Sequence, residues 1–219
     1  MAANRKVFDL RNLLAERFGP NQTPSSGELV TGIDVLDENG GLGKGAITEL
    51  TSAQPSAGSA LLIHCLLQVA LRDRFFLALV DGRDSFDVQS AGSAALAHLF
   101  WIRCQAAAEA VKAADLLLRD GNFPLVILDL ILNAAEELRR IPATSWYRLQ
   151  RLVEASSTAF LVMSRHNLVP SARTKLVLEN RWQLRDLQNE DTLPRVRLCA
   201  RRSHLAVIPS AAEGSRCVS

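Results

Sequence analysis

The residues best placed to do chemistry gather around one junction. An apolar stretch, 46–51, runs into the small residues of 52–57 and then into a helix-forming run, 58–72. Strand, small-residue turn and helix is the layout of a phosphate-binding loop. Such a loop uses glycines so that backbone N–H groups can wrap phosphates, a lysine to reach the outer phosphates, and a Ser/Thr hydroxyl for magnesium. In Ala53-Gln54-Pro55-Ser56-Ala57-Gly58-Ser59-Ala60 the second glycine is Gly58. Ala53 stands at the first glycine, Ser59 at the lysine and Ala60 at the hydroxyl. The helix start still offers N–H groups to an anion, but the side chains that supply charge and hold metal are absent. Two further segments end in acids: Leu79-Val80-Asp81, continued by Gly82-Arg83-Asp84-Ser85-Phe86-Asp87, and Leu125-Val126-Ile127-Leu128-Asp129. Asp87 and Asp129 close these two segments. Asp129 has a simple structural reading, as a cap for the loop after its strand. Arg83 stays protonated near neutral pH and cannot act as a general base.

These residues need a scaffold, and the hydrophobic pattern supplies one. Apolar runs at 75–81, 99–104, 125–130 and 158–164 read as strands. They alternate with helical runs at 88–98, 105–119 and 144–155, the last with Thr144 or Ser145 as its cap. Continuous apolar strands separated by helices predict an α/β fold, a mostly parallel central sheet with helices on both faces. The run 58–72 is apolar nearly all round, which predicts a buried helix. Beyond Arg173 the texture changes: 175–180, 195–200 and 204–208 alternate, so the sheet is expected to finish in C-terminal antiparallel hairpins. Residues 7–18 read as an amphipathic helix with Val7, Leu10, Leu13, Leu14 and Phe18 on one stripe. The expected organisation is an arm and linker (1–26), a core (27–208) and a disordered tail (209–219).

The chain has 219 residues, 48% hydrophobic and 22% charged, with a net charge of +2. That composition excludes a disordered or collagen-like chain. No apolar run reaches the roughly 18–20 residues of a membrane span, and the N-terminus carries no secretory signal pattern. Cys65, Cys104, Cys199 and Cys217 lack metal-ligand spacing, so reduced thiols and no metal site are expected. From Arg165 onward there are 10 basic against 5 acidic residues. Alternation places Arg195, Arg197 and Arg201 on one strand face, with Arg202 beside them. Contact with nucleic acid or an acidic partner and ordinary solvation are both open for this face. Trp182, flanked by Arg181 and Arg185, is open between base stacking and packing. Trp101 and Trp146, beside apolar runs, are expected in the core.

On these residues the chain resembles the RecA recombinase core. Thr31-Gly32-Ile33 through Leu36-Asp37, Gly40-Gly41-Leu42 and Gly45 look like its opening. Leu79–Asp87, Leu125–Asp129 (its Walker B strand) and Phe160–Arg165 follow in the same order. The resemblance implies a RecA-like P-loop NTPase core. It also implies that Arg83 stands at the catalytic glutamate, Arg165 near the sensor glutamine, and Val7, Leu10, Leu14 and Phe18 on a protomer-docking surface. Loss of the lysine, the magnesium hydroxyl and the base together predicts a pseudo-ATPase with no cofactor. The competing reading is ATP binding through Gly58, Ser59, Asp129 and Asp87. The stretches 99–104 and 113–122 look like the ImuA family of bacterial DNA-damage tolerance. That likeness implies a cytoplasmic, nucleoid-associated adaptor with an error-prone DNA polymerase or Y-family-like subunit as partner, and RecA or DNA as further contacts. The SulA-type division inhibitors share the degenerate core, and a DNA-binding protein is a third class.

Overall fold

The computed structural model describes residues 27–38, 41–52, 54 and 57–180, and the backbone of 198–200. The expectations for Val7, Leu10, Leu14, Phe18, Trp182, Arg195, Arg197, Arg201, Arg202, the strand 204–208 and the tail 209–219 lie outside the described residues. In chain order the elements are β1 (Glu28–Leu29), α1 (Asp34–Asp37), β2 (Leu42–Gly43), β3 (Ala46–Ser52), α2 (Ser59–Arg72) and β4 (Leu77–Asp81). A 3₁₀ turn (Gln89–Ala91), α3 (Ser93–Leu96), β5 (Leu99–Arg103), α4 (Ala107–Asp120) and β6 (Leu125–Asp129) follow. Then come α5 (Ala135–Arg139), α6 (Ala143–Glu154), β7 (Ala159–Ser164), β8 (Thr174–Leu178) and β9 (Leu198–Ala200).

The described strands make an α/β fold around a seven-stranded sheet, in the order β5-β4-β6-β7-β3-β8-β9. All pairings are parallel except β8 with β9. A small antiparallel pair, β1 with β2, forms a second sheet packed on the first through Leu29 and Leu42. The expected antiparallel finish is present in the pair β8 with β9, and the third expected strand, 204–208, lies outside the described residues. β8 runs parallel to β3, with Glu49 opposite Lys175, and only β9 reverses. The alternation in β8 reflects its place near the sheet edge, where one face is less covered.

Alternate strand residues feed two cores. Leu77, Leu79, Leu125, Ile127, Leu161 and Leu50 pack with α2 on one face. Ala78, Val80, Val126, Leu128 and Val162 pack with α4 and α6 on the other, where Trp146 is buried. The all-round apolar character of α2 has a direct cause: its outer side, Leu67 and Leu71, is covered by Ala91, Ala95 and Leu96. The predicted helix 88–98 is not continuous. Gly92, at φ 72° and ψ 143°, splits it into the 3₁₀ turn and α3. Nor do Thr144 or Ser145 cap α6. The helix starts at Ala143 after Pro142, whose fixed φ of −63° leads into the first turn without a side-chain cap.

The connection from β7 to β8 passes over β3. It does so without a helix, in only nine residues, 165–173, fewer than a parallel crossover normally takes. A helix would satisfy its own backbone; this crossover borrows a side chain. Glu49, wholly buried in β3, accepts the N–H groups of Leu168 and Val169, the latter at 2.8 Å. Its other oxygen lies 3.1 Å from Lys175 Nζ. Removing one partner of a buried pair leaves the other charge uncompensated. Glu49→Ala should therefore lower stability by about 3 kcal/mol, and Glu49→Gln, which keeps an acceptor, by about 1–2 kcal/mol. Urea midpoints of the two variants and the parent check both values.

Candidate functional site

At the carboxyl ends of β4 and β6, Asp81 and Asp129 are register partners on the same sheet face, toward α2. Their surroundings differ. Asp81 is 1% exposed and accepts the backbone N–H groups of Arg83 (3.2 Å), Ser85 (2.7 Å) and Phe86 (2.8 Å). The Ser85 hydroxyl and Trp101 Nε1, each at 3.3 Å, complete its shell. These bonds set the turn after β4. Asp84 takes a left-handed conformation (φ 55°), and its carboxylate meets Arg103 at 2.6 and 2.7 Å. That contact holds the Asp84 carboxyl below its ordinary range. The Arg103 guanidinium also lies over the Trp101 ring, 5.1 Å from its centroid, and Trp101 meets Phe86 edge-on. Trp101 is thus only half-buried and braces the turn rather than filling the core centre.

Arg83 points away from this face. Its Nη1 donates to Gln105 O at 2.6 Å and lies 3.7 Å from Glu137. Asn133 Nδ2 bridges Gly82 O (3.0 Å) and Glu137 (3.1 Å), and with the Ala107 N–H it keeps the Glu137 carboxyl below its usual range. Gly82 is pinned where a Cβ would sit 2.7 Å from Asp129 O and would collide with Asn133 Oδ1.

Between the start of α2, the turn after β4 and the end of β6 lies a pocket of about 160 Å³. Its walls are Ser59, Ala60, Ile63 and His64 from α2, then Ser85, Phe86, Asp87 and Ser90, then Asp129, Ile131 and Leu132. β4 leaves toward β5 through α3, on the α2 face; β6 leaves toward β7 through α5 and α6, on the opposite face. The connections diverge between these two adjacent strands, a switch point of the kind where open α/β sheets bind ligands. The Asp129 carboxylate accepts one hydrogen bond among the described residues, from the Ile131 N–H at 3.0 Å. The loop-capping reading of Asp129 therefore holds. Burial without a counter-charge, helped by the nearby charge of Asp81, pushes its carboxyl up to about 6.

Of the sequence candidates, Ser59, Asp87 and Asp129 share this pocket. Gly58 is not among the lining residues; it precedes α2 at φ 105°, a conformation that suits glycine. Asp87 is exposed and accepts the Gln89 N–H at 2.9 Å. Arg165 is not brought to the pocket; it follows β7 and its Nε is buried without a partner among the described residues. The Thr31–Asp37 motif has a local structural role: Asp37 accepts Thr31 N, Thr31 Oγ1 and Gly32 N at 2.7–2.9 Å.

The sequence reading missed His64, Ser85, Ser90 and Leu132. The i, i+4 spacing of Ala60 and His64 on one helix face could have indicated the first. It also missed Asn180, which donates to Ala57 O at 2.9 Å and fixes the end of the turn before α2. Nothing in the sequence pairs those two positions. Among the described residues no group of three or more His, Cys, Asp or Glu is arranged to hold a metal ion. No described helix is long and apolar enough to cross a membrane. Comparison with protein-family models and with curated proteins gives no match.

Two outcomes follow from this geometry. Gly82→Ala should cost about 1–3 kcal/mol, because the added methyl meets backbone and a buried amide; thermal unfolding measures it. For Asp129 the folded carboxyl takes a proton more readily than the unfolded one, whose ordinary value is 3.8. Stability must then fall as pH rises from about 4 to about 6 and stay lower above that, by up to about 3 kcal/mol. Asp129→Asn should remove this loss, giving a more stable protein at pH 7 and a flatter profile between pH 4 and 6 in urea titrations.

Proposed function

We propose that this chain is a RecA-like accessory protein of the DNA-damage response without ATPase activity, an adaptor for a mutagenic polymerase complex. The observation that carries the reading is the charge of the pocket. Its charged walls are two carboxylates, Asp87 and Asp129, and Ser59 and Ala60 occupy the start of α2 where a lysine and a hydroxyl would face phosphates. The nearest arginines on the β4 side are committed elsewhere, Arg83 to Gln105 O and Arg103 to Asp84. Phosphoryl transfer is stabilised by cations around the transferred group, and this pocket presents the opposite sign. Its volume of about 160 Å³ also falls below the roughly 300–1,000 Å³ of small-molecule sites.

The RecA-like assignment is supported by the way the four matched segments meet. The strand before the glycine turn, the Asp81 strand, the Walker B-like strand and the strand before Arg165 lie in one parallel sheet, β3, β4, β6 and β7. The adaptor role and the polymerase partner come from the ImuA resemblance. Restoring Lys at Ser59 and Thr at Ala60 should give no phosphate release from magnesium-ATP above a protein-free control, because residue 83 still supplies no base. Hydrolysis by that variant would sink the account. An affinity pull-down from damaged cells should retain an error-prone polymerase or its Y-family-like partner; a division-ring GTPase alone would favour the SulA-type reading.

A further inference from the structure

We propose that the outer face of α4 and α6 docks an acidic, amphipathic segment of a protein partner. The inference rests on the adaptor reading only for the partner being a protein. α4 and α6 pack side by side, and the buried Asp115 marks the seam between them. Arg119 Nε from α4 and Arg148 Nε from α6 each reach its carboxylate at 2.8 Å. Two more exposed cations stand on the same helices, Lys112 and Arg151, and neither has an ion pair among the described residues. One buried carboxylate thus answers four cations, and the middle of the face keeps a positive charge. The other acids of these helices stand at the helix ends and are already engaged. Glu109 accepts the Gln105 N–H, Asp120 the Asn122 amide and Glu154 the Gln150 amide.

The same face also exposes apolar surface. Leu116 is 68% exposed and Tyr147 49%, two of the five large hydrophobic side chains left exposed among the described residues. Lys112, Leu116 and Arg119 fall at i, i+4 and i+7 on one face of α4, and Tyr147 and Arg148 each stand one turn before Arg151 on α6. An apolar side chain on each helix, bordered by cations, is complementary to a segment that combines carboxylates with apolar anchors, as an amphipathic helix does. The aliphatic stems of Lys112 and the arginines widen the apolar surface while their charged heads stay in water. A nucleic acid fits this face less well. Phosphates would meet the cations, but they offer Leu116 nothing apolar, and the acids at the helix ends interrupt a continuous phosphate track.

The test titrates the full ¹⁵N-labelled chain with an amphipathic peptide of glutamates, leucines and phenylalanines. Its controls are a version with lysine for glutamate, a version with serine for the apolar residues, and oligothymidylate. The acidic peptide should shift the amide resonances of Lys112, Leu116, Tyr147 and Arg151 saturably, and bind less tightly at higher salt. The lysine and serine versions should each bind at least about tenfold more weakly. Leu116→Ser/Tyr147→Ser and Lys112→Glu/Arg151→Glu, all at exposed positions, should each weaken the acidic peptide by about tenfold while keeping a dispersed, folded spectrum. No shift at these amides, equal binding of either altered peptide, or unchanged affinity in either variant would overturn the assignment. Saturable shifts by oligothymidylate at the same amides would overturn it in favour of nucleic acid. The pull-down keeps this apart from the adaptor reading. If the parent chain retains a polymerase subunit and Leu116→Ser/Tyr147→Ser retains as much, the adaptor stands and this surface fails. If the parent retains none, the adaptor reading fails, and the peptide titrations still decide the surface.

Discussion

At the end of β4 one carboxylate has to satisfy the backbone that follows it. Asp81 has almost no exposed surface, so its charge is tolerable only because backbone amides, a hydroxyl and an indole N–H converge on it. The turn wraps around that carboxylate, and the wrapping decides where every later side chain goes. Ser85 and Phe86 face the pocket, Arg83 reaches back to Gln105, and Asp84 is held in a left-handed conformation that its link to Arg103 secures. Gly82 has to be glycine because the start of the turn passes against Asp129 O and Asn133. One wall of the pocket is thus a consequence of how a single buried charge is solvated by protein.

Other carboxylates in the fold are handled in related ways. Glu49 takes two amides of the crossover and a neighbouring lysine. Asp115, on α4, is clamped by Arg119 from its own helix and Arg148 from α6, each at 2.8 Å. In each case the compensation ties together elements distant in sequence or joins two helices. Asp129 differs. It sits beside Asp81 in the same register, yet its second oxygen opens into a pocket with no cation among the described residues. Its raised carboxyl is the electrostatic record of that imbalance. A carboxyl perturbed in this way and lining a cleft is a candidate for a functional site.

Much of the scaffold was legible because its signals are local. The apolar runs of β4, β6 and β7 and the all-round apolar α2 are continuous in sequence, and the sheet followed from their alternation with helices. What escaped notice depends on contacts between distant segments. The break at Gly92 was invisible because the flanking residues Ser90, Ala91 and Ser93 to Leu96 tolerate a helix. The parallel placement of β8 depends on Glu49 bridging a crossover more than a hundred residues away. The same holds for Asn180 and Ala57. At the site, Ser59 was singled out by the strand–turn–helix layout, and Asp87 and Asp129 by the resemblance to the RecA core. The charge balance of their pocket emerged only once Arg83 and Arg103 were seen to be engaged elsewhere.

The orientation of residue 83 bears on how deep the proposed loss of catalysis runs. A base must reach the atom whose proton it takes. The Asp81-centred turn instead aims residue 83 at the start of α4, beside Glu137. A glutamate there would face a carboxylate that already accepts Asn133 and Ala107, with like-charge repulsion in place of the present pairing. Refitting a base would require a different turn, and the turn is fixed by five hydrogen bonds to one buried aspartate. The arginine at 83 and the conformation of 82–86 therefore form one coupled unit that sets this wall of the pocket and directs residue 83 away from it.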